Sequence, residues 1–337
     1  MLIELLLFLI GLILLVFGSD IFVKRAAKIA QHLGLSPFII GLTLVAVGTS
    51  LPELGAAIAA ALRQESGLVI GNIIGSNIAN IALIIGITSI IATVKTTKTI
   101  LRREAYIMLY ITMLIALFFV TGTITRVEGI ILLLLFFAYN VFIIHVKDEP
   151  RQGLHAFISS FLRLEYVGML QKDMGSHVQK AKHAIKNTPF VKDFLIAVVS
   201  MAAIILGADM FVDGAIYIAN SFGISSIVIG ATLVAIGTSL PELAVSISAV
   251  TKGLGGIAIG NILGSNIANL LLILGLTALL QPIFIPKFAL WYLMPVLLAF
   301  SLLLVIFLRS GYRIVRKEGV FFLVGYGIYL FFLFNFG

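Results

Sequence analysis

The chain has 337 residues, of which 61% are hydrophobic and 11% charged, with a net charge of +8 and no cysteine. A soluble domain carries about 25% charged residues. That balance, with a mean hydropathy of +1.16, excludes a soluble, disordered or disulfide-held chain. Apolar runs near the roughly 20 residues that span hydrocarbon also exclude an outer-membrane barrel, so an all-α membrane protein is expected.

In chain order, the apolar runs give ten spans: 2–32, 37–62, 68–92, 103–121, 126–146, 191–221, 226–251, 256–280, 288–308 and 316–336. The first is read as retained in the mature protein. It carries Glu4 in place of a basic leader and is too long for a signal-peptide core. The only long polar stretch, 147–190, divides the chain into a first five-helix unit (1–146), a linker and a second five-helix unit (191–337).

Charge sets the orientation. With the N-terminus outside, only Arg63, Arg126 and Lys287 of the 23 basic residues fall on the outer face. The rest gather in the linker, around Lys24 to Lys28, between 95 and 103, at Lys252 and between 309 and 317. Cytoplasmic loops hold such an excess of Lys and Arg. The expectation is a cell-membrane protein with both termini outside and 147–190 cytoplasmic. It also accounts for the basic balance without nucleic acid.

Residues 41–54 (GLTLVAVGTSLPEL) and 230–243 (GATLVAIGTSLPEL) agree at twelve of fourteen positions. Residues 71–80 (GNIIGSNIAN) and 260–269 (GNILGSNIAN) agree at nine of ten, at the same offset of 189. An odd number of spans per copy makes the second copy enter the membrane from the opposite face. Inverted repeats of this kind build secondary transporters, with the site at the midplane between the copies.

Glu53 and Glu242 fall at matching mid-span positions of spans 2 and 7. An intramembrane carboxylate is expensive and marks a function by default. Before each lies a proline, Pro52 or Pro241, with no N–H to donate and a ring that clashes one turn back. Helix 2 should therefore break near 47–52 and free carbonyls from Ala46 to Thr49, and helix 7 should do the same around Ala235 to Thr238. Backbone groups freed at that depth must line a cavity or bind something. Thr49, Ser50, Thr238 and Ser239 add hydroxyls beside the carboxylates. In spans 3 and 8, Ser76 with Asn80 and Ser265 with Asn269 each share one helical face. The pairs Gly71/Gly75 and Gly260/Gly264 permit close helix packing. The donors are all oxygens, which suits hard cations; Ca²⁺ takes 6–8 of them.

At these residues the chain resembles the sodium/calcium exchangers of the cation/calcium antiporter superfamily, in their microbial ten-span form. The doubled G-T-S-L-P-E and G-N-x-x-G-S-N-x-x-N carry the resemblance, which covers essentially the whole chain. It implies Ca²⁺ held by Glu53 and Glu242 with backbone oxygens of Thr49 and Thr238. It implies Na⁺ sites that share these glutamates and use Ser50, Ser76, Ser239, Ser265 and the carbonyls of Ala46 and Ala235, at three Na⁺ per Ca²⁺. Some relatives, the potassium-dependent branch among them, have Asp where this chain has Asn269; neutral Asn80 and Asn269 argue against potassium dependence. Proton-coupled relatives carry a G-N-A-x-E type motif, absent here.

The expected activity is Na⁺/Ca²⁺ antiport by alternating access, by a monomer in the bilayer, with Na⁺ and Ca²⁺ as transported ions and no organic cofactor. Proton/Ca²⁺ antiport is the alternative, and a channel or uniporter a more distant one. An intramembrane protease is disfavoured, because no His lies in a span core and no G-x-G-D occurs. Spans 1 and 6, with Asp20 and Asp209 at matching places, are expected to move against the site bundle, and Asp20 to pair with Lys24. In the linker, Leu154, Phe157, Ile158, Phe161 and Leu162 suggest an amphipathic surface helix or a plain tether.

Overall fold

A computed structural model describes residues 2–32, 46–145, 157, 188–251 and 253–336. In the first copy, α1 is Leu2–His32, α2 Ala46–Thr49, α3 Leu51–Leu62, α4 Ser66–Ile91, α5 the helix 98–120 and α6 Arg126–His145. In the second, α7 is Thr188–Phe222, α8 Ser226–Thr238, α9 Leu240–Thr251, α10 Gly255–Leu280, α11 Ala289–Arg309 and α12 Arg316–Phe336. The order is that of two five-helix repeats with helices 2 and 7 broken. The first half of span 2 and the 154–162 pattern lie outside the described residues, apart from Phe157. That ring packs edge-on against Phe142 and Tyr139 of α6, at centroid distances of 5.5 and 6.4 Å.

One boundary differs materially from the sequence reading. The helix of span 4 begins near Lys98 and not at 103, because Thr97 caps it: its Oγ1 accepts from the Ile100 N–H at 3.2 Å. The basic residues after the cap thus belong to the helix and not to the loop before it.

Four two-residue strands stitch the loops: β1 (Val94–Lys95), β2 (Thr123–Ile124), β3 (Ile283–Phe284) and β4 (Arg313–Ile314). The first strand pairs with the fourth and the second with the third, both antiparallel. Each strand thus meets the counterpart of its own copy's other strand, as a two-fold axis between inverted copies demands.

Burial divides the helices into a centre and a shell. The apolar stretch of α4 is 94% buried and that of α10 78%, whereas those of α1 and α12 are 28%. Shell helices turn large apolar side chains such as Leu117, Val199, Trp291 and Phe336 outward, a surface only lipid tails would solvate. In the shell, α1 and α7 lie along each other. A Cβ on Gly11 would stand 2.5 Å from the Phe211 nitrogen, and Phe8 stacks on Phe211 at 4.6 Å.

At the centre, α4 and α8 meet backbone to backbone. A Cβ on Gly75 would lie 2.6 Å from the Ala231 Cα and 2.8 Å from its carbonyl oxygen. Neither atom belongs to a flexible side chain, so the helices would have to part. Overpacking of this kind costs ~1–3 kcal/mol or more. Gly75→Val is expected to lower the thermal unfolding midpoint of the detergent-solubilised protein; an unchanged midpoint would show that the seam can open freely.

Candidate ion-binding site

The two helix breaks fall at Ser50 and Ser239. Their backbone angles nearly coincide, φ −86° and ψ 10° against φ −84° and ψ 9°. Both lie in the sparsely populated bridge region, held there by the proline two residues on. At the second break, α8 and α9 are bent by 45°. The chain re-enters helix at once, and Glu53 and Glu242 occupy the first turns of α3 and α9. A helix N-terminus favours negative charge, so both acids are placed where burial as carboxylates is least costly.

The two copies then bond across to each other. Ser239 Oγ donates to Glu53 Oε1 at 2.8 Å, and Ser50 Oγ donates to Glu242 Oε1 at 3.3 Å. Thus the serine at each break holds the acid of the other copy. Ser265 Oγ also donates to Glu242 Oε1, at 3.2 Å, and Ser76 Oγ donates to the Ala235 carbonyl at 3.4 Å. Thr49 Oγ1 lies 3.3 Å from Ser265 Oγ, and Thr238 Oγ1 donates to the Val234 carbonyl at 3.0 Å. Ala46 heads α2 as Ala235 heads the last turn of α8.

Two residues absent from the sequence-based set join them. Asn72 Nδ2 donates to the Glu53 carbonyl at 3.2 Å and its Oδ1 accepts from Thr238 Oγ1 at 3.4 Å. Its counterpart Asn261 accepts from Thr49 Oγ1 at 3.4 Å. Each stands one turn before Ser76 or Ser265, so Asn72, Ser76 and Asn80 form one stripe on α4, and Asn261, Ser265 and Asn269 one on α10. That i, i+4, i+8 spacing is the signal in the duplicated motif that would have found them.

Four side-chain oxygens in this cluster accept no hydrogen bond: Glu53 Oε2, Glu242 Oε2, Asn80 Oδ1 and Asn269 Oδ1. They form two repeat-related pairs, and all four residues have no exposed surface. A buried polar atom without a partner is costly, and native proteins rarely leave one without a reason. Here the serine hydroxyls bond one oxygen of each carboxylate and leave the other bare, which is the chemistry of a cation site, and the Asn261 amide nitrogen in the same cluster is also without a partner. Among the described residues no group of three or more His, Cys, Asp or Glu could hold a metal. Two carboxylates with neutral oxygens can bind a hard cation without a cage of charge that would retain it.

Asp20, Asp209 and Asp213 are engaged elsewhere. Asp20 pairs with Lys24 at 2.6 Å, and both are exposed. Arg63, at the end of α3, bonds Asp213 at 2.6 Å and Asp209 at 3.1 Å. These aspartates therefore belong to a contact between α3 and α7 and not to the site.

Residues 3–145 and 192–335 match the family model described as sodium/calcium exchanger protein. The chain belongs to the sodium/calcium exchanger family. Sodium/calcium exchanger MaX1 of Methanosarcina acetivorans is 44% identical over 98% of this chain and 98% of its own. Inner membrane protein YrbG of Escherichia coli is 34% identical over 82% of this chain and 79% of its own. Among solved structures, the sodium-calcium exchanger NCX_Mj soaked with 100 mM Na⁺ and 10 mM Sr²⁺ is 32% identical, covers 97% of each chain and superposes with a TM-score of 0.62. The same exchanger soaked with zero Na⁺ and Ca²⁺ gives 34% identity and a TM-score of 0.60. The family is one of transporters, not enzymes.

Proposed function

We propose that this exchanger family member carries Ca²⁺ against Na⁺ across the cell membrane by alternating access, at the site between helices 2, 3, 7 and 8. The observation that carries the reading is the set of four bare, buried, repeat-related oxygens on Glu53, Glu242, Asn80 and Asn269. Ca²⁺ lies between the two glutamates, which neutralise it, and takes further oxygens from Thr49 and Thr238. Na⁺ ions share the glutamates and use Ser50, Ser76, Ser239, Ser265, Asn80, Asn269 and the carbonyls of Ala46 and Ala235. Because both ions need the same two charges, loading one expels the other, and this exclusion couples the fluxes.

Residues 1–146 and 191–337 act as the two inverted halves, joined by a cytoplasmic linker at 147–190, with both termini outside. The loop charges support this, and so do the paired strands, since each pair joins loops assigned to one face. The long contact between α1 and α7 supports a unit that slides over the bundle as a body. One chain contains both halves of the site, so the unit of function is the monomer.

Reconstituted into vesicles loaded with Na⁺, the protein is expected to take up radiolabelled Ca²⁺ only while the Na⁺ gradient persists. Uptake set by pH and indifferent to Na⁺ would move the protein to proton-coupled exchange.

A further inference from the structure

Beside the bare oxygens runs a crossed pair of amide hydrogen bonds. Asn80 Nδ2 donates to Asn266 Oδ1 at 2.9 Å, and Asn269 Nδ2 donates to Asn77 Oδ1 at 3.0 Å. Asn77 and Asn266 are repeat counterparts, as are Asn80 and Asn269, so each copy orients an amide of the other. All four side chains are buried.

An amide is nearly isosteric with its flipped form, so its neighbours decide which end faces where. Two neighbouring groups can only accept. Asn77 faces the backbone carbonyl of Asn266 at 3.4 Å, and Asn266 faces the Met108 thioether at 3.6 Å. Each must present its NH₂ there, which turns its own oxygen toward the partner amide. Asn269 and Asn80 must in turn present their NH₂ groups, and their oxygens are left at the bare end. Asn80 and Asn269 also lie in π-helical turns, Ala79–Ile84 and Asn269–Ile273. Such turns re-aim side chains out of the regular helical order and recur at functional sites.

We propose that Asn77 and Asn266 are positioning residues for exchange: they hold Asn269 and Asn80 with the carbonyl oxygen, and not the NH₂, toward the transported ion. A flip of either amide would put a donor where a cation must sit. In a chain that uses neutral asparagine in place of the aspartate of some relatives, orientation does the work that charge would otherwise do. The inference rests on the site reading above, and the experiment separates the two.

The test is Na⁺-driven uptake of radiolabelled Ca²⁺ in vesicles, measured as KM for each ion. Asn269→Leu tests the site itself; unchanged exchange there would overturn the site reading whatever Asn77 does. Given a loss with Asn269→Leu, Asn77→Leu is expected to raise KM about tenfold, the equivalent of one hydrogen bond to a charged group. A carboxylate at 269 has two equivalent oxygens and no wrong way round. In an Asn269→Asp background, Asn77→Leu should therefore change KM by less than about twofold, a coupling read directly from the cycle. Should Asn77→Leu fail to fold, Met108→Leu removes the outer acceptor in a volume-conserving swap, and KM should rise about threefold. Unchanged KM in the folded Leu variants, or an equal loss from Asn77→Leu in both backgrounds, would overturn the proposal.

Discussion

Glu242→Gln is expected to abolish Na⁺-driven Ca²⁺ uptake, by at least about 100-fold, in a protein that is still folded and inserted. Gln preserves volume and leaves an oxygen for the Ser50 and Ser265 hydroxyls, which now reach Glu242 Oε1 at 3.3 and 3.2 Å. On the proposed site it removes one of the two carboxylates that face the ion. A buried charge deprived of its partner costs about 3–5 kcal/mol, which is about two to three and a half decades in binding. A divalent ion beside a single carboxylate is in that position. The fold does not depend on the charge, since two like charges at close quarters do not hold helices together. Detergent-solubilised Glu242→Gln should elute and melt like the wild type, and Glu53→Gln should behave the same way. Wild-type Ca²⁺ flux in either folded variant would remove the glutamates from the site.

The reciprocity behind that prediction was partly legible in the sequence. Twelve identities in fourteen residues, with the proline before each acid, were enough to place both helix breaks to within a few residues. The strand pairs follow from the same inversion. What periodicity could not register is contact across the axis. Ser50 lies on the same face as Glu53, which suggests a local partnership; in the fold its hydroxyl reaches Glu242. Asn72, Asn77, Asn261 and Asn266 stood inside the quoted motifs but were not singled out, because a hydrogen bond to another helix leaves no trace in spacing. The π-helical turns at Asn80 and Asn269 are invisible for a related reason. One extra residue in a turn alters the direction of a side chain without altering the apolar pattern around it. The early start of α5 escaped because basic residues there read as loop, and the cap that begins the helix is a single threonine.

Exchange is expected to be electrogenic. With the family's three Na⁺ for each Ca²⁺, one net positive charge crosses the membrane in every cycle, in the direction of the Na⁺. The potential then contributes about 2.3 kcal/mol per 100 mV to each turnover. At about 1.4 kcal/mol per decade, a 100 mV potential shifts the Ca²⁺ gradient that the protein can sustain by roughly 40- to 50-fold. The neutral amides at Asn80 and Asn269 matter to this arithmetic. On the proposed site Glu53 and Glu242 supply two negative charges to the bound ions, which one Ca²⁺ neutralises and three Na⁺ overshoot by one. The Na⁺-loaded carrier is then the form that bears the charge across. In vesicles loaded with Na⁺ and diluted into Ca²⁺, outward Na⁺ movement leaves the interior negative and so opposes itself. Clamping the interior positive should speed Ca²⁺ uptake, and clamping it negative should slow it. Equal uptake at both potentials would mean two Na⁺ per Ca²⁺, a cycle in which the two glutamates are matched by either load and no charge remains for the field to act on.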